Sequence, residues 1–238
     1  DDFCVARNDN RSTSPLGWSV VHDGSIHRPN DFELRTPALL GESDSWDKLR
    51  KVCKALREAG AETGVTCGLH VHHDASLILK AASNSGLDAE ATRTLVGHVG
   101  RGLYARLEPV IDSLMPPSRR ENKNKYCRTL RRSPPLKRLS VTALRTNPEP
   151  ELYGDIRDDH YYKLSMMALE AHNTLEYRQH SGTLLAYKII PWIKLTGLIQ
   201  NKMAELVLGL GELPSDEDVN TLNKMMDYLG ANDRLRGY

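Results

Sequence analysis

The spacing of apolar residues along the chain predicts five helices and four strands. Apolar residues recur every three or four positions, the period of an amphipathic helix, in the segments 45–59, 89–115, 159–171, about 191–210 and about 216–229. Side-chain character alternates with the period of a strand at 18–22, 31–36, 64–73 and 173–180. Since helices and strands follow one another in no regular order, the predicted fold class is α+β.

Residues at the segment ends support these boundaries. Ser45 is a candidate N-cap of the first helix, and Gly60 follows its last periodic position. The second helix meets the pair 116–117, two prolines that cannot continue it. Ser215 and Gly230 bracket the last helix in the same way.

The segment 176–183, EYRQHSGT, carries the clearest chemical signal. If it is a strand, its period of two places Glu176, Arg178 and His180 on one face, and Gln179 on the other. A carboxylate, a guanidinium and an imidazole in one row are costly to bury without partners such as a metal, a phosphate or one another. The pattern therefore indicates a functional face, against the alternative of a solvated edge strand with surface ion pairs.

Two further extended segments offer similar side chains at alternate positions. His70 and His72 share one face of the segment CGLHVHHD, and Glu33 and Arg35 share one face of ELRTP. If the three segments are neighbours in one sheet, all these groups lie on one face of it. Carboxylates and imidazoles bind divalent metals, and guanidiniums hold phosphate or carboxylate by two bonds, which suits phosphoryl chemistry on a metal–nucleotide complex.

Composition narrows the class of protein. The 238 residues are 39% hydrophobic and 26% charged with a net charge of +1, which predicts a globular protein without general attraction to nucleic acid or membranes. The four cysteines have no framework spacing, so we expect a reduced, cytoplasmic protein. No run of 18 apolar residues and no signal-peptide pattern is present in the sequence.

Three local patterns allow competing interpretations. Cys67, His70 and His72 suit zinc, as in a zinc-dependent hydrolase, although His73 points the other way in a strand and is expected to be structural. The basic segment 119–138 resembles a nucleic-acid patch but lacks interleaved aromatic residues, so a loop over an anionic substrate is favoured. The glycines of 97–102 lie inside a helical pattern and do not form a phosphate loop.

Five short motifs in order resemble the putative amidoligase family of carboxylate–amine ligases, which is related to glutamine synthetase and glutamate–cysteine ligase. They are Trp18 with DGSI at 23–26, ELRTP at 33–37, CGLHVHH at 67–73, PSRREN at 117–122 with YC at 126–127, and EYRQHSGT at 176–183. The resemblance implies a glutamine synthetase-like fold, an antiparallel sheet with helices packed on one face and an ATP–Mg²⁺ site on the other. It also implies ATP-dependent amide formation through an acyl phosphate, from a small-molecule or peptide carboxylate and an amine. We expect a single catalytic domain over residues 1–238.

Roles for the individual side chains follow from this resemblance and from ligand chemistry. We expect a Mg²⁺ site formed by Glu33, His72 and Glu176. Phosphate contacts are expected from Arg178, Arg35 and one of Arg119 or Arg120. His70 or His180 is expected to orient the substrate or to accept the proton of the attacking amine. A zinc hydrolase and a non-catalytic nucleotide- or nucleic-acid-binding protein remain the alternatives.

The chain departs from the family pattern at two places. The family usually opens with a Glu-x-Glu strand that helps to bind the metals, and no such pair occurs in the first 32 residues. Either that strand precedes Asp1 or the protein lacks it, in which case metal binding is expected to be weaker. The family often has Asp-Arg-Tyr and a downstream Asn, where this chain has DHY at 159–161 and Ser165. One basic contact is therefore expected to be altered.

Overall fold

The computed structural model describes residues 12–13, 17–21, 31–84, 86–131, 141–142 and 161–232. The chain divides into two compact units, one of residues 1–67 with 182–186 and one of residues 68–181 with 187–238. The strands are β1 (Ser12–Thr13), β2 (Ser19–Val21), β3 (Glu33–Arg35), β4 (Val71–Asp74), β5 (Leu164–Ser165) and β6 (Thr174–Tyr177). The α-helices are α1 (Ser43–Glu58), α2 (Ser76–Ser83), α3 (Ala89–Leu114), α4 (Met167–His172), α5 (Ala186–Val207) and α6 (Leu222–Tyr228). Short 3-10 helices occupy Pro117–Arg119 and Glu217–Val219.

The first unit contains an antiparallel sheet in the order β1-β2-β3 and the helix α1. Helix α1 buries Leu49 and Cys53, two of the positions that the helical period predicts. It begins at Ser43, so the predicted N-cap at Ser45 is wrong, and the residue before it, Glu42, makes no side-chain capping bond. The predicted stop is confirmed, since Gly60 has a φ of +77°, a left-handed conformation that favours glycine.

The second unit contains an antiparallel sheet in the order β4-β6-β5, with β6 at its centre. One face of this sheet is apolar and carries Val71, Leu164, Leu175 and Tyr177, all buried in the core. Their strand neighbours, with the opposite side-chain direction, include His72, Ser165 and Glu176. The α+β class is therefore confirmed, with small antiparallel sheets and packed helices.

Helix α3 lies against the apolar face of this sheet. Asp88 caps the helix by accepting a bond from the backbone N–H of Ala91, and a buried stripe of Leu, Val and Ile follows at helical spacing. Gly100 permits close packing, because a Cβ there would lie 2.7 Å from Met203 Sδ of α5. The glycine run 97–102 is thus part of a buried helix, as predicted.

Several element boundaries differ from the sequence predictions. The helix predicted over 159–171 is replaced, within its described part, by β5 and the short helix α4. The helix predicted over 216–229 consists of a 3-10 turn followed by α6, which Thr221 rather than Ser215 caps. Helix α5 begins at Ala186 and includes Pro191, whereas α2 has no counterpart among the predicted helices.

The predicted strand over 64–73 is shortened to β4, preceded by an isolated antiparallel bridge between Gly68 and Ser181. Among the described residues, no helix has both the length and the apolar character needed to cross a membrane.

Candidate functional site

His72 and Glu176 are direct cross-strand partners in the register of β4 and β6. Opposed residues of an antiparallel pair project to the same face, so both side chains lie on the polar face of the sheet. His72 Nε2 is 3.8 Å from Glu176 Oε1, and His70 Nδ1 is 3.1 Å from the same oxygen. His70, His72 and Glu176 thus converge on the polar face of the sheet.

Glu176 is a buried carboxylate held by positively polarised neighbours. Besides the two imidazoles, Arg178 Nη1 donates to Oε1. Burial by itself raises the pKa of Glu176, but the hydrogen bond from His70 and the charge of Arg178 outweigh it and hold the pKa at about 2. Each of these contacts involves Oε1. Three positively polarised groups thus converge on one oxygen of the buried carboxylate.

Arg178 has one end of its guanidinium fixed and another polar atom without a partner. Its side chain is only 10% exposed, and Nη1 is held by Glu176. Nε is buried and has no hydrogen-bond partner among the described residues. A buried, unpaired N–H of a charged group is costly, and the planar fork of a guanidinium matches two oxygens of a phosphate or carboxylate. This arrangement suits an anionic ligand.

Arg119 lies beside the same cluster, on the 3-10 turn that follows α3. A Cβ added to Gly68 would lie 2.9 Å from His70 Nε2 and 3.6 Å from Arg119 Nη1, so both atoms flank one point of the backbone. The neighbouring Arg120 is used differently, since its Nε donates to the backbone carbonyl of Met115 at 2.7 Å. Of the two arginines that the sequence left open, the structure brings Arg119 to the histidine cluster.

His180 follows β6, and its ring is fixed in a defined tautomer. Nδ1 is 2.7 Å from the carbonyl oxygen of Ser181, and the ring lies against Trp192 at a centroid distance of 5.4 Å. Because a carbonyl only accepts, Nδ1 carries the proton, and in the neutral ring Nε2 is the acceptor. Burial lowers the pKa of His180 despite that backbone bond. The ring is therefore suited to accepting a proton through Nε2 near neutral pH.

The other histidines of β4 divide between the two faces as the alternation predicts. His72 Nδ1 contacts Thr174 Oγ1 at 3.1 Å on the polar face, and burial lowers its pKa. His73 points to α5, where Nε2 contacts Thr196 Oγ1 at 2.8 Å. Burial lowers the pKa of His73 to about 4, so it is a neutral packing residue. The structural role predicted for His73 is confirmed.

Glu33 and Arg35 do not belong to this sheet. Both lie on β3 of the first unit, whose sheet is separate from β4-β6-β5, so the condition that all three segments share one sheet is not met. The two side chains pair with each other by two bonds, at 3.0 and 3.3 Å, on the surface of that unit. The alternation placed them on a common face correctly, but strand pairing depends on long-range contacts that a local pattern does not contain.

Ser165 shares the polar face and was singled out in the sequence only as a departure from the family pattern. It is the cross-strand partner of Glu176 on the side opposite His72 and is completely buried. Its Oγ has no hydrogen-bond partner among the described residues. The signal that could have found it is its short strand, which the helical prediction over 159–171 obscured.

The described residues contain no group of three or more His, Cys, Asp or Glu side chains arranged to hold a metal ion. Neither the zinc interpretation of Cys67, His70 and His72 nor the predicted Mg²⁺ site of Glu33, His72 and Glu176 thus gains support from the geometry. Several cations of the basic segment are engaged within the protein: the Arg128 guanidinium lies 4.7 Å from the ring centre of Tyr162, and Arg131 pairs with Asp216.

Comparison with known protein families finds a match over most of the chain. A family model described as "Putative amidoligase enzyme" matches residues 9–200, which is most of the chain and includes every side chain of the cluster described above. Comparison with curated proteins and with solved structures gives no significant match. The matched span covers both units of the chain, and the chain belongs to the amidoligase family.

Proposed function

We propose that this protein is an ATP-dependent carboxylate–amine ligase that forms an amide through an acyl phosphate. Membership of the amidoligase family supports ligation. The observation that supports a phosphorylated intermediate is the guanidinium of Arg178, whose Nε is buried without a partner among the described residues while Nη1 is held on Glu176. A nucleotide phosphate supplies the anionic oxygens that such an edge lacks.

In this proposal the terminal phosphate of ATP lies between Arg178 and Arg119. Both arginine residues are buried, with Arg178 8% and Arg119 3% exposed over the whole residue, so their charges act in a medium of low dielectric. Glu176 is the residue that we assign to Mg²⁺, because carboxylate oxygens are among the ligands that this ion takes in proteins. When bound, Mg²⁺ would neutralise charge on the phosphates.

The reaction proceeds in two balanced steps. A carboxylate oxygen of the first substrate attacks the γ-phosphorus, the bond from that phosphorus to the bridging oxygen breaks, and ADP leaves. The amine then attacks the carbonyl carbon of the acyl phosphate, and inorganic phosphate leaves with the original carboxylate oxygen. His180 accepts the proton of the attacking amine through Nε2, and His70 keeps Glu176 ionised and oriented.

The remaining assignments also belong to the proposal. His72 is assigned as an additional ligand or hydrogen-bond donor beside Glu176, because its Nε2 already faces that carboxylate. Glu33 as a metal ligand and Arg35 as a phosphate contact come from the family resemblance, and both lie in the first unit. The glutamine synthetase-like arrangement, with helices on one face of the sheet and nucleotide on the other, is part of the same proposal.

The experiment uses hydroxylamine in place of the unidentified amine. The protein is incubated with MgATP, hydroxylamine and pools of amino acids and short acidic peptides, and both ADP and hydroxamate are measured. A ligase of this mechanism forms ADP and hydroxamate in equal amounts, and only with a pool that contains its carboxylate. If ADP is formed but no pool yields hydroxamate, including a pool of cell-wall peptides, the proposal is contradicted. Arg178→Ala serves as the inactive control.

A further inference from the structure

Gln179 lies between two site residues, yet its side chain points away from the site. The backbone alternation directs Arg178 to the polar face of the sheet and Gln179 to the interior, where it is 0% exposed. Its Oε1 accepts a bond from Tyr104 Oη at 2.6 Å. Burial raises the pKa of Tyr104 well above its usual value, so the phenol remains a donor and fixes which end of the amide is the oxygen.

The amide nitrogen of Gln179 then has two acceptors. Nε2 is 2.5 Å from Asp112 Oδ1 and 3.4 Å from the backbone carbonyl oxygen of Arg119. Asp112 reaches the same loop a second time, since its Oδ2 accepts from the backbone N–H of Glu121 at 2.8 Å. Glu121 has a φ of +52°, an unfavourable conformation for a residue with a side chain, so this bond holds the loop in a shape that it would not adopt by itself.

Lys163 completes the buried network and joins it to the strand of Arg178. Its Nζ lies 2.6 Å from Asp112 Oδ1 and 2.8 Å from Glu108 Oε1, at 0% exposure. A buried ammonium requires such partners, and two carboxylates supply them. The carbonyl oxygen of Lys163 accepts the backbone N–H of Arg178 at 2.8 Å. One network therefore fixes the backbone of both arginines, Arg119 through Gln179 and Arg178 through Lys163.

We infer that Gln179 is a positioning residue that sets the separation of the Arg119 and Arg178 guanidiniums around the terminal phosphate of ATP. The inference rests on the proposed function and extends it to a residue that lies on the far side of the sheet from the ligand. Gln179 acts through the Arg119 carbonyl and Asp112, and it does not touch the nucleotide. The quantity that it controls is the preference for a triphosphate over a diphosphate, because only the triphosphate extends between both arginines.

The test compares the affinity of MgADP with that of the magnesium complex of a non-hydrolysable ATP analogue, both by calorimetry. We expect the wild type to bind the triphosphate more tightly. Gln179→Met keeps the size of the side chain but removes its hydrogen bonds, and it should lower this preference about tenfold while changing the affinity for MgADP less than about threefold. A general loss of stability would lower both affinities together and leave their ratio unchanged.

Tyr177→Phe is the matched control, because it removes one buried bond, Tyr177 Oη to Gln200 Oε1 at 3.3 Å, from the same face of the same strand. In the Tyr177→Phe protein, the ratio of triphosphate affinity to diphosphate affinity should equal that of the wild type. If Gln179→Met does not unfold cooperatively, Tyr104→Phe, which removes only the hydroxyl that orients the amide, should still lower the preference. An unchanged ratio in the folded Gln179 or Tyr104 variant, or an equal loss in Tyr177→Phe, would overturn this inference alone. A wild type without any preference for the triphosphate would instead overturn the proposed function.

Discussion

Arg178, the first residue after β6, donates through Nη1 to Glu176 of that strand, so an acid and a base two residues apart form one buried pair. The pair is not self-contained, because Arg178 Nε is buried without a hydrogen-bond partner among the described residues. Each residue thus stabilises the charge of the other, and Arg178 has a second polar atom for a ligand. Substitutions of Glu176 and Arg178 should therefore have effects on the stability of the fold and on turnover that can be measured separately.

Arg178→Lys should retain the fold and lose turnover. Lysine supplies one point charge on a flexible stem and cannot bind two oxygens as a planar fork does. Loss of one such transition-state contact typically costs about 10²–10³ in kcat. The measurement is hydroxamate formation by the folded variant. Arg120→Lys is the matched control, since the side chain of Arg120 bonds the Met115 carbonyl, and it should keep near-normal turnover. Wild-type turnover in the Arg178→Lys protein would remove Arg178 from the phosphate site.

Glu176→Gln should lower both stability and activity. The folded-state pKa of about 2 lies below the ordinary value of 4.5, so the ionised carboxylate stabilises the folded protein above pH 4.5. At about 1.4 kcal/mol per pKa unit, this contribution is on the order of 3 kcal/mol at pH 7 and is lost as the pH falls through 4.5 toward 2. Urea unfolding should therefore show a deficit in the variant at pH 7 that shrinks by about half at pH 3. An equal deficit at both pH values would contradict this assignment of the charge.

Gly68→Ala should impair the site while leaving stability nearly unchanged. The added Cβ would lie 2.9 Å from His70 Nε2, and the imidazole, as a side-chain end, can rotate away at little cost. That rotation breaks the bond from His70 to Glu176 and crowds Arg119. We expect a fall of at least about tenfold in turnover with a Tm within a few degrees of the wild type. Gly64→Ala, whose Cβ would lie 3.9 Å from Thr66 Oγ1, is the control and should behave as the wild type. Full activity in Gly68→Ala would show that the ring position of His70 is unimportant.

The buried histidines His73 and His98 should make the protein sensitive to mild acid. Burial lowers the pKa of each to about 4, against 6.5 in the unfolded chain. Between pH 6.5 and 4 the unfolded state binds more protons than the folded state, so the free energy of unfolding falls as the pH falls. Each histidine should cost about 2–3 kcal/mol of stability at pH 4.5 relative to pH 7. Replacement of His73 by Gln should flatten the pH dependence of urea unfolding, whereas the exposed His172→Gln should not. Equal slopes in the wild type and the His73 variant would refute this account.

Local periodicity predicted the elements whose environment is set by nearby residues. The bounds of α3 were predicted closely because Asp88, a continuous apolar stripe and two prolines all act within a turn of the helix ends. The grouping of His70, His72 and Glu176 was also predictable, since alternation on two strands fixes the face once the strands pair. The separate sheet of Glu33 and Arg35 could not be predicted in this way, because pairing partners are chosen by packing across the whole fold.

The interior network around Gln179 could not be predicted from the sequence. Lys163 and Asp112 are of residue types that usually lie on the surface. Only the fold brings Lys163, next to β5, into contact with two acidic residues of α3. A helical pattern over 159–171 also concealed β5, because its two residues are too few to show a period. Long-range contacts of this kind decide which polar residues are buried and which ones position the site.

The central claim is that the carboxylate of one substrate attacks the γ-phosphate of ATP, and oxygen-18 tests it directly. The carboxylate that supports hydroxamate formation is labelled with ¹⁸O in both oxygens and incubated with MgATP and the amine. Phosphate is then analysed by mass spectrometry. Our account predicts one ¹⁸O atom in each molecule of inorganic phosphate released with amide product, because the acyl phosphate breaks at the carbon. Amide product accompanied by unlabelled phosphate would contradict the acyl phosphate and with it the proposed roles of Arg178 and Arg119.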